Sequence, residues 1–165
     1  MNIHQSFAIG NTGERFVLQE FSSKNIQAVK YDGINKQSHD LDCVLGKKKF
    51  KVEVKYDVMA QKTDNIAIEF YNIKQKKPSG IDATKANIWA HVLADGSNLT
   101  LWLASVKGFK AFIKTNKPFR TIECAGDDNA SLYLYRTDNV LDVILHRAET
   151  LDKDNLHKLI RKLLR

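Results

Sequence analysis

A chain of 165 residues that is 43% apolar and 27% charged has the composition of one compact domain with a real core, which excludes a largely disordered protein. Two cysteines far apart, Cys43 and Cys124, exclude a disulfide framework or a zinc module and read as two buried thiols. The start MNIHQSFAIGN lacks signal-peptide features and no stretch approaches a membrane span, so the expectation is a cytoplasmic protein with no membrane partner. The net charge of +7 and pI of about 9.4 are concentrated in KKKFKVEVK, IKQKKP, KGFKAFIKTNKPFR and LHKLIRKLLR, a balance that favours a polyanionic partner, nucleic acid before membrane.

In chain order, Phe16, Val17, Leu18 and Phe21 form an apolar stripe that predicts a first helix over 12–23, with Asn11 or Thr12 as N-cap. Residues 25–30 read as a strand and YDGINKQS as a loop. HDLDCVLGKKKFKVEVKYD reads as two strands joined by the turn Gly46-Lys47-Lys48-Lys49. IAIEFYN is the next strand, followed by the turn KQKKPSG, a short helix from Asp82 and the alternating strand WAHVLA. LTLWLAS (99–105) is a strand, 107–114 a helix, and RTIECAG and SLYLYR strands separated by 126–129. Thr137-Asp138-Asn139 predicts the cap of a helix carrying Val140, Leu141, Ile144 and Leu145. Residues 152–165 predict a basic amphipathic helix on Leu156, Leu159, Ile160, Leu163 and Leu164. The fold class is α/β (α+β), a central mixed sheet flanked by helices, in a single domain over 1–165 with a core at about 10–105 and C-terminal strands and basic helices at about 106–165.

The hairpin carries the chemistry. Alternation puts Leu41, Cys43, Leu45, Phe50, Val52 and Val54 on one face and Asp40, Asp42, Glu53 and Lys55 on the other. Pairing Leu45 with Phe50 across the four-residue turn sets Asp42 opposite Glu53 and Asp40 opposite Lys55. Neighbouring carboxylates repel unless a cation lies between them, and hard oxygen ligands suit Mg2+, or Mn2+ in its place, and not zinc. The alternative is an exposed strand face whose acids pair with lysines, with Glu14 merely complementing a helix start. His91, Trp89 and Trp102 read as core residues.

Asp42 followed by Glu53-Val54-Lys55 resembles the signature of the PD-(D/E)XK nuclease superfamily, with the acid on one strand of a hairpin and E-x-K on the next; Leu41 stands where the family's proline would be. Glu14, in Gly13-Glu14-Arg15, is similar to the first-helix acid of the Holliday-junction-resolvase-like, phage-type branch. The resemblance implies a restriction-endonuclease-like core in which Glu14, Asp42 and Glu53 bind one or two magnesium ions and Lys55 assists attack by water. Glu53 follows Asp42 by a shorter connection than is usual there, and counting further back selects Asp40, so both aspartates stay open, with Asp42 favoured. KKPSGIDATKANIWAHV after IAIEF resembles a block of phage-borne members, which implies that Glu69, Ser79, Gly80, Thr84 and Lys85 line the substrate side, while Lys47, Lys48 and Lys49 are candidate DNA-backbone contacts. The function so implied is a Mg2+-dependent endodeoxyribonuclease acting in DNA recombination or repair. It would cut branched or duplex DNA, be a homodimer, leave 5′-phosphate ends, and serve a cell or, as a virus-encoded protein, the host cytoplasm. A restriction- or repair-type nuclease and a non-catalytic nucleic-acid-binding module are the alternatives.

Overall fold

The computed structural model describes residues 3–34, 38–125 and 129–165, with 3–10 and 124–125 described as backbone only. Helix α1 (Ile3–Ser23) buries Gly13, Val17 and Phe21, a spine of every fourth residue. It starts earlier than the sequence predicts, so Glu14 lies in the helix middle and not at its positive N-terminal end. Asn25 closes the helix at φ +58, with Ile26 N–H on Phe21 O (2.9 Å), Asn25 N–H on Ser22 O (3.1 Å), and Phe21 and Ile26 both buried. This is the Schellman arrangement, with asparagine in the left-handed position. The chain then enters β1 (Gln27–Lys30), β2 (Leu41–Leu45) and β3 (Lys48–Asp57). Residues 35–37 of the expected loop lie outside the described residues.

Next come α2 (Ala60–Thr63), β4 (Asn65–Asn72), β5 (Lys77–Pro78), α3 (Gly80–Ala83), β6 (Ile88–Asp95) and β7 (Asn98–Ser105). Helix α4 (Val106–Thr115) is capped by Ser105 Oγ, which accepts the Gly108 N–H at 3.0 Å. Strands β8 (Arg120–Ala125) and β9 (Ala130–Arg136) follow, then β10 (His146–Arg147) and α5 (Lys153–Leu163), capped by Asp152. The helix expected after Thr137 is absent. A single 3-10 turn over Thr137–Asn139 forms instead, and Val140 and Leu145 are buried from irregular chain that Asp142 turns at φ +59. Most of the turn expected over 126–129 and the side chain of Cys124 lie outside the described residues.

The α+β class is as expected, but the strands form two sheets. A six-stranded mixed sheet runs β1-β2-β3-β6-β7-β10, with β3 and β6 parallel, and a four-stranded antiparallel sheet runs β5-β4-β9-β8. The β3-to-β6 crossover that parallel pairing requires contains α2, β4, β5 and α3, and so delivers the second sheet. One face of the large sheet packs Leu41, Phe50, Val52 and Leu103 against Val17 and Phe21 of α1 and Leu156 and Ile160 of α5. The other face packs Trp89, Leu93 and Trp102 against Ile66, Ile68, Phe109 and Tyr135, and this cluster takes no residue from β1, β2 or β3. The second layer reaches β3 at Glu53, through Glu69 of β4 and the 79–84 stretch, and goes no further toward β2 and β1. No described helix is long and apolar enough to cross a membrane.

The hairpin turn differs from the expected one. Gly46 at φ +62 supports a two-residue turn, Gly46-Lys47, so Leu45 pairs with Lys48, Cys43 with Phe50 and Asp42 with Lys51. Facing is preserved, because the register moves by two residues, but each side chain meets a partner one pleat repeat away.

Candidate active site

The register decides which aspartate joins Glu53. Continuing the ladder from Leu41–Val52 places Asp40 beside Glu53; Asp40 N–H donates to Val52 O (2.9 Å) and its Oδ2 accepts the Val54 N–H (2.7 Å). Asp40, Glu53, Lys55, Glu69 and Ser79 line one cavity of about 200 Å³. Asp42 does not. It sits opposite Lys51 with Oδ1 2.9 Å from His39 Nε2, so the expected register, with Asp42 opposite Glu53, is corrected: the aspartate beside Glu53 is Asp40.

Glu53 is 7% exposed and uses both oxygens: Oε1 is 2.8 Å from Lys55 Nζ, and Oε2 accepts the Thr84 hydroxyl at 3.0 Å. Burial opposes the Lys55 charge, but the Glu53 carboxylate, with Asp40 and Glu69, outweighs it and holds the ammonium above the usual lysine range. The same ammonium lies 5.8 Å from the Trp89 ring centre. Burial, then the charge of Glu53, pushes the Asp40 carboxyl up to about 6; Glu14 adds to this, while the Val54 N–H and Lys55 pull the other way. The pocket therefore holds more negative charge than its one lysine balances.

Glu69 arrives from β4 through a close approach that requires glycine. Gly80 takes φ +50, and a Cβ there would stand 2.2 Å from the Glu69 carbonyl oxygen. The next residue back, Ser79, borders the cavity and is 8% exposed, and its Oγ has no hydrogen-bond partner among the described residues. A buried hydroxyl without a partner is costly, and a ligand oxygen in the cavity would satisfy it.

Glu14 is near enough to influence Asp40, but its carboxylate is 2.7 Å from Lys30 Nζ. Gly13 explains the proximity: a Cβ there would stand 2.8 Å from Tyr56 Cβ, so glycine lets α1 lie close on β3. Lys85 is exposed and does not line the cavity; its backbone N–H donates to Ser38 O at 2.8 Å. Of the three turn lysines only Lys49 shares the face of Glu53. Lys48 alternates to the face of Phe50 and Lys47 occupies the turn, a consequence of the two-residue reversal.

Sequence reasoning missed the layer behind Lys55. Trp89 Nε1 donates to His91 Nδ1 (3.2 Å), which leaves the proton of a neutral imidazole on Nε2; that nitrogen is buried, without a hydrogen bond among the described residues, and 3.5 Å from Asp57 Oδ2. His91 is thus a core residue, though not a fully satisfied one. Its signal was the W-x-H spacing on a strand paired with E-x-K.

The donors fit a hard divalent cation. They are carboxylates and a hydroxyl, with no imidazole or thiolate at the cavity. Among the described residues no three His, Cys, Asp or Glu side chains form a ready-made metal cluster. An ion on Asp40 and Glu53 would keep water or substrate oxygens as further ligands, as magnesium does. No protein-family model matches the chain, and no curated protein matches it.

Proposed function

We propose that the chain is a divalent-metal-dependent nuclease that hydrolyses phosphodiester bonds in DNA. The observation that carries this reading is the convergence of Asp40, Glu53, Glu69 and Lys55 on one small cavity beside the Ser79 hydroxyl, which has no partner among the described residues. Supporting it is the element order: a helix, an antiparallel β1–β2–β3 set carrying the acid and then E-x-K, and β6 parallel to β3, which is compatible with the nuclease core that the sequence resembles.

Asp40 and Glu53 would hold magnesium or manganese, which supplies acidification of a bound water and neutralisation of phosphate charge. Lys55 is kept charged by Glu53 and stands where an ammonium can steady the attacking water or the developing phosphorane charge. The Ser79 hydroxyl donates to a phosphate oxygen. Glu14 tunes Asp40 electrostatically and stays paired to Lys30. Selectivity for branched DNA, 5′-phosphate products and a homodimer belong to the proposal as its finer parts.

One observation favours a second reading, a non-catalytic nucleic-acid-binding module: Lys55 and Thr84 already satisfy both Glu53 oxygens. A cleavage panel on four-way junction, flap, duplex and single-stranded DNA, run with magnesium, separates the two. Glu53→Ala should lose magnesium-dependent cleavage and retain DNA binding; unchanged cleavage by that variant would sink the nuclease reading.

A further inference from the structure

The face of the hairpin that carries the carboxylates continues past them toward the turn. On β3 this face reads Lys55, Glu53, Lys51, Lys49, and side chains on one strand face recur every ~6.6 Å. Beside Lys51 and Lys49 lie Asp42 and Val44 of β2 and, one strand further, Val29 and Gln27 of the edge strand β1. Together they line an open cavity of about 500 Å³. Asn87 closes its flank: its Oδ1 accepts the Lys51 N–H (2.8 Å) and its N–H donates to Lys51 O (2.9 Å), which holds this part of β3 rigid.

The charge here is positive and free to act. Lys49 and Lys51 are exposed, and neither forms an ion pair among the described residues. Among the described residues the one acid lining the groove, Asp42, is engaged by His39. Between the two lysines and the wall, Val44 is partly buried and Val29 is 63% exposed, an apolar floor on an otherwise polar face.

We propose that this groove binds a DNA strand as it leaves the carboxylate pocket, with Lys51 and Lys49 on successive backbone phosphates and the Val29–Val44 floor under a sugar or base. The repeat of like-facing lysines is close to the repeat of phosphates along a strand, and charge complementarity favours a polyanion over a protein segment. The inference rests on the nuclease reading only for where the scissile bond lies; the binding itself requires no metal and no chemistry.

The experiment is fluorescence anisotropy of a labelled DNA duplex in EDTA across a salt series. It compares wild type, the double variant Lys49→Ala/Lys51→Ala, and the control Lys158→Ala/Arg161→Ala on α5, whose apolar side packs against the opposite sheet face. Loss of two phosphate contacts should lower the slope of log affinity against log salt by about 1.8 and weaken binding at ~0.1 M salt by roughly tenfold or more, with the control near wild type. Val44→Asp, which places a carboxylate on the floor and leaves both lysines in place, should weaken binding as well. Equal losses in groove and control variants, or no loss in the groove variant, would overturn the proposal. So would a shift in hydrodynamic size on Val29→Asp with DNA binding untouched, because the groove would then be a self-association face. Wild type that binds through these lysines but never cleaves leaves the groove standing and removes the nuclease; active cleavage with unaltered binding by the groove variants does the reverse.

Discussion

Replacing Asp40 by Asn removes the charge while keeping the size of the side chain and an acceptor for the Val54 N–H. In the ion-free protein the Asp40 carboxyl is raised from 3.8 to about 6, chiefly by burial and then by Glu53. Two units at about 1.4 kcal/mol each put the penalty for ionised Asp40 at about 3 kcal/mol. The weaker hydrogen bond of an amide returns about 1 kcal/mol of this. A carboxyl whose folded value exceeds its unfolded value binds its proton more tightly when folded. Wild-type stability in EDTA therefore falls as pH rises from about 4 to about 6, and the penalty is fully present above that window. At neutral pH Asp40→Asn should unfold about 4–8 °C above wild type in EDTA. Magnesium should raise the wild-type midpoint by mass action, about 1.4 kcal/mol at ten times its Kd, and leave the variant almost unmoved. Asp42→Asn should behave like wild type in the magnesium response. Thermal scans with EDTA and with magnesium read all three. An Asp40→Asn protein that is less stable than wild type in EDTA, or that keeps a wild-type magnesium shift, would refute the reasoning.

Gly80→Ala should destabilise by about 2 kcal/mol or more, since it combines a left-handed backbone with a Cβ driven into the Glu69 carbonyl, and it should weaken the magnesium-induced shift as well. Leu156→Ala, fully buried between α5 and the large sheet, should cost about 2–5 kcal/mol in denaturant titration and leave the magnesium response intact, because it lies on the far side of the sheet from the carboxylates. Cys43 is 1% exposed and its thiol is pushed up to about 12 by burial and then Asp42; in a Cys124→Ser background it should react with a thiol reagent only at the rate of unfolding.

Alternation was the most legible signal in the sequence. It placed Glu53 and Lys55 on the face opposite Phe50 and Val52, and it located β4, β6, β7 and β9 to within a few residues, as the helical apolar stripe did for α5. What it could not set was the register. Alternation repeats every two residues, so a hairpin slid by two preserves every facing while Asp42 gives way to Asp40 as the neighbour of Glu53. Gly46 held the missing information: a glycine at the first turn position favours the two-residue reversal, and the lysines after it belong to the strand. The second sheet was hidden because its strands, β4, β8 and β9, come from separate stretches whose alternation reads alike in either sheet. Ser79 and Gly80 were visible as a turn, but the contact of Gly80 with Glu69 is tertiary and leaves no local trace.

Asp40 and Glu53 are the proposed metal-holding, phosphodiester-cleaving pair. The most direct measurement is magnesium-dependent cleavage of the DNA panel by wild type, Asp40→Asn and Asp42→Asn at equal, folded concentrations. Cleavage should be lost in Asp40→Asn and persist in Asp42→Asn. Persistence in Asp40→Asn with loss in Asp42→Asn would contradict the site as the structure arranges it.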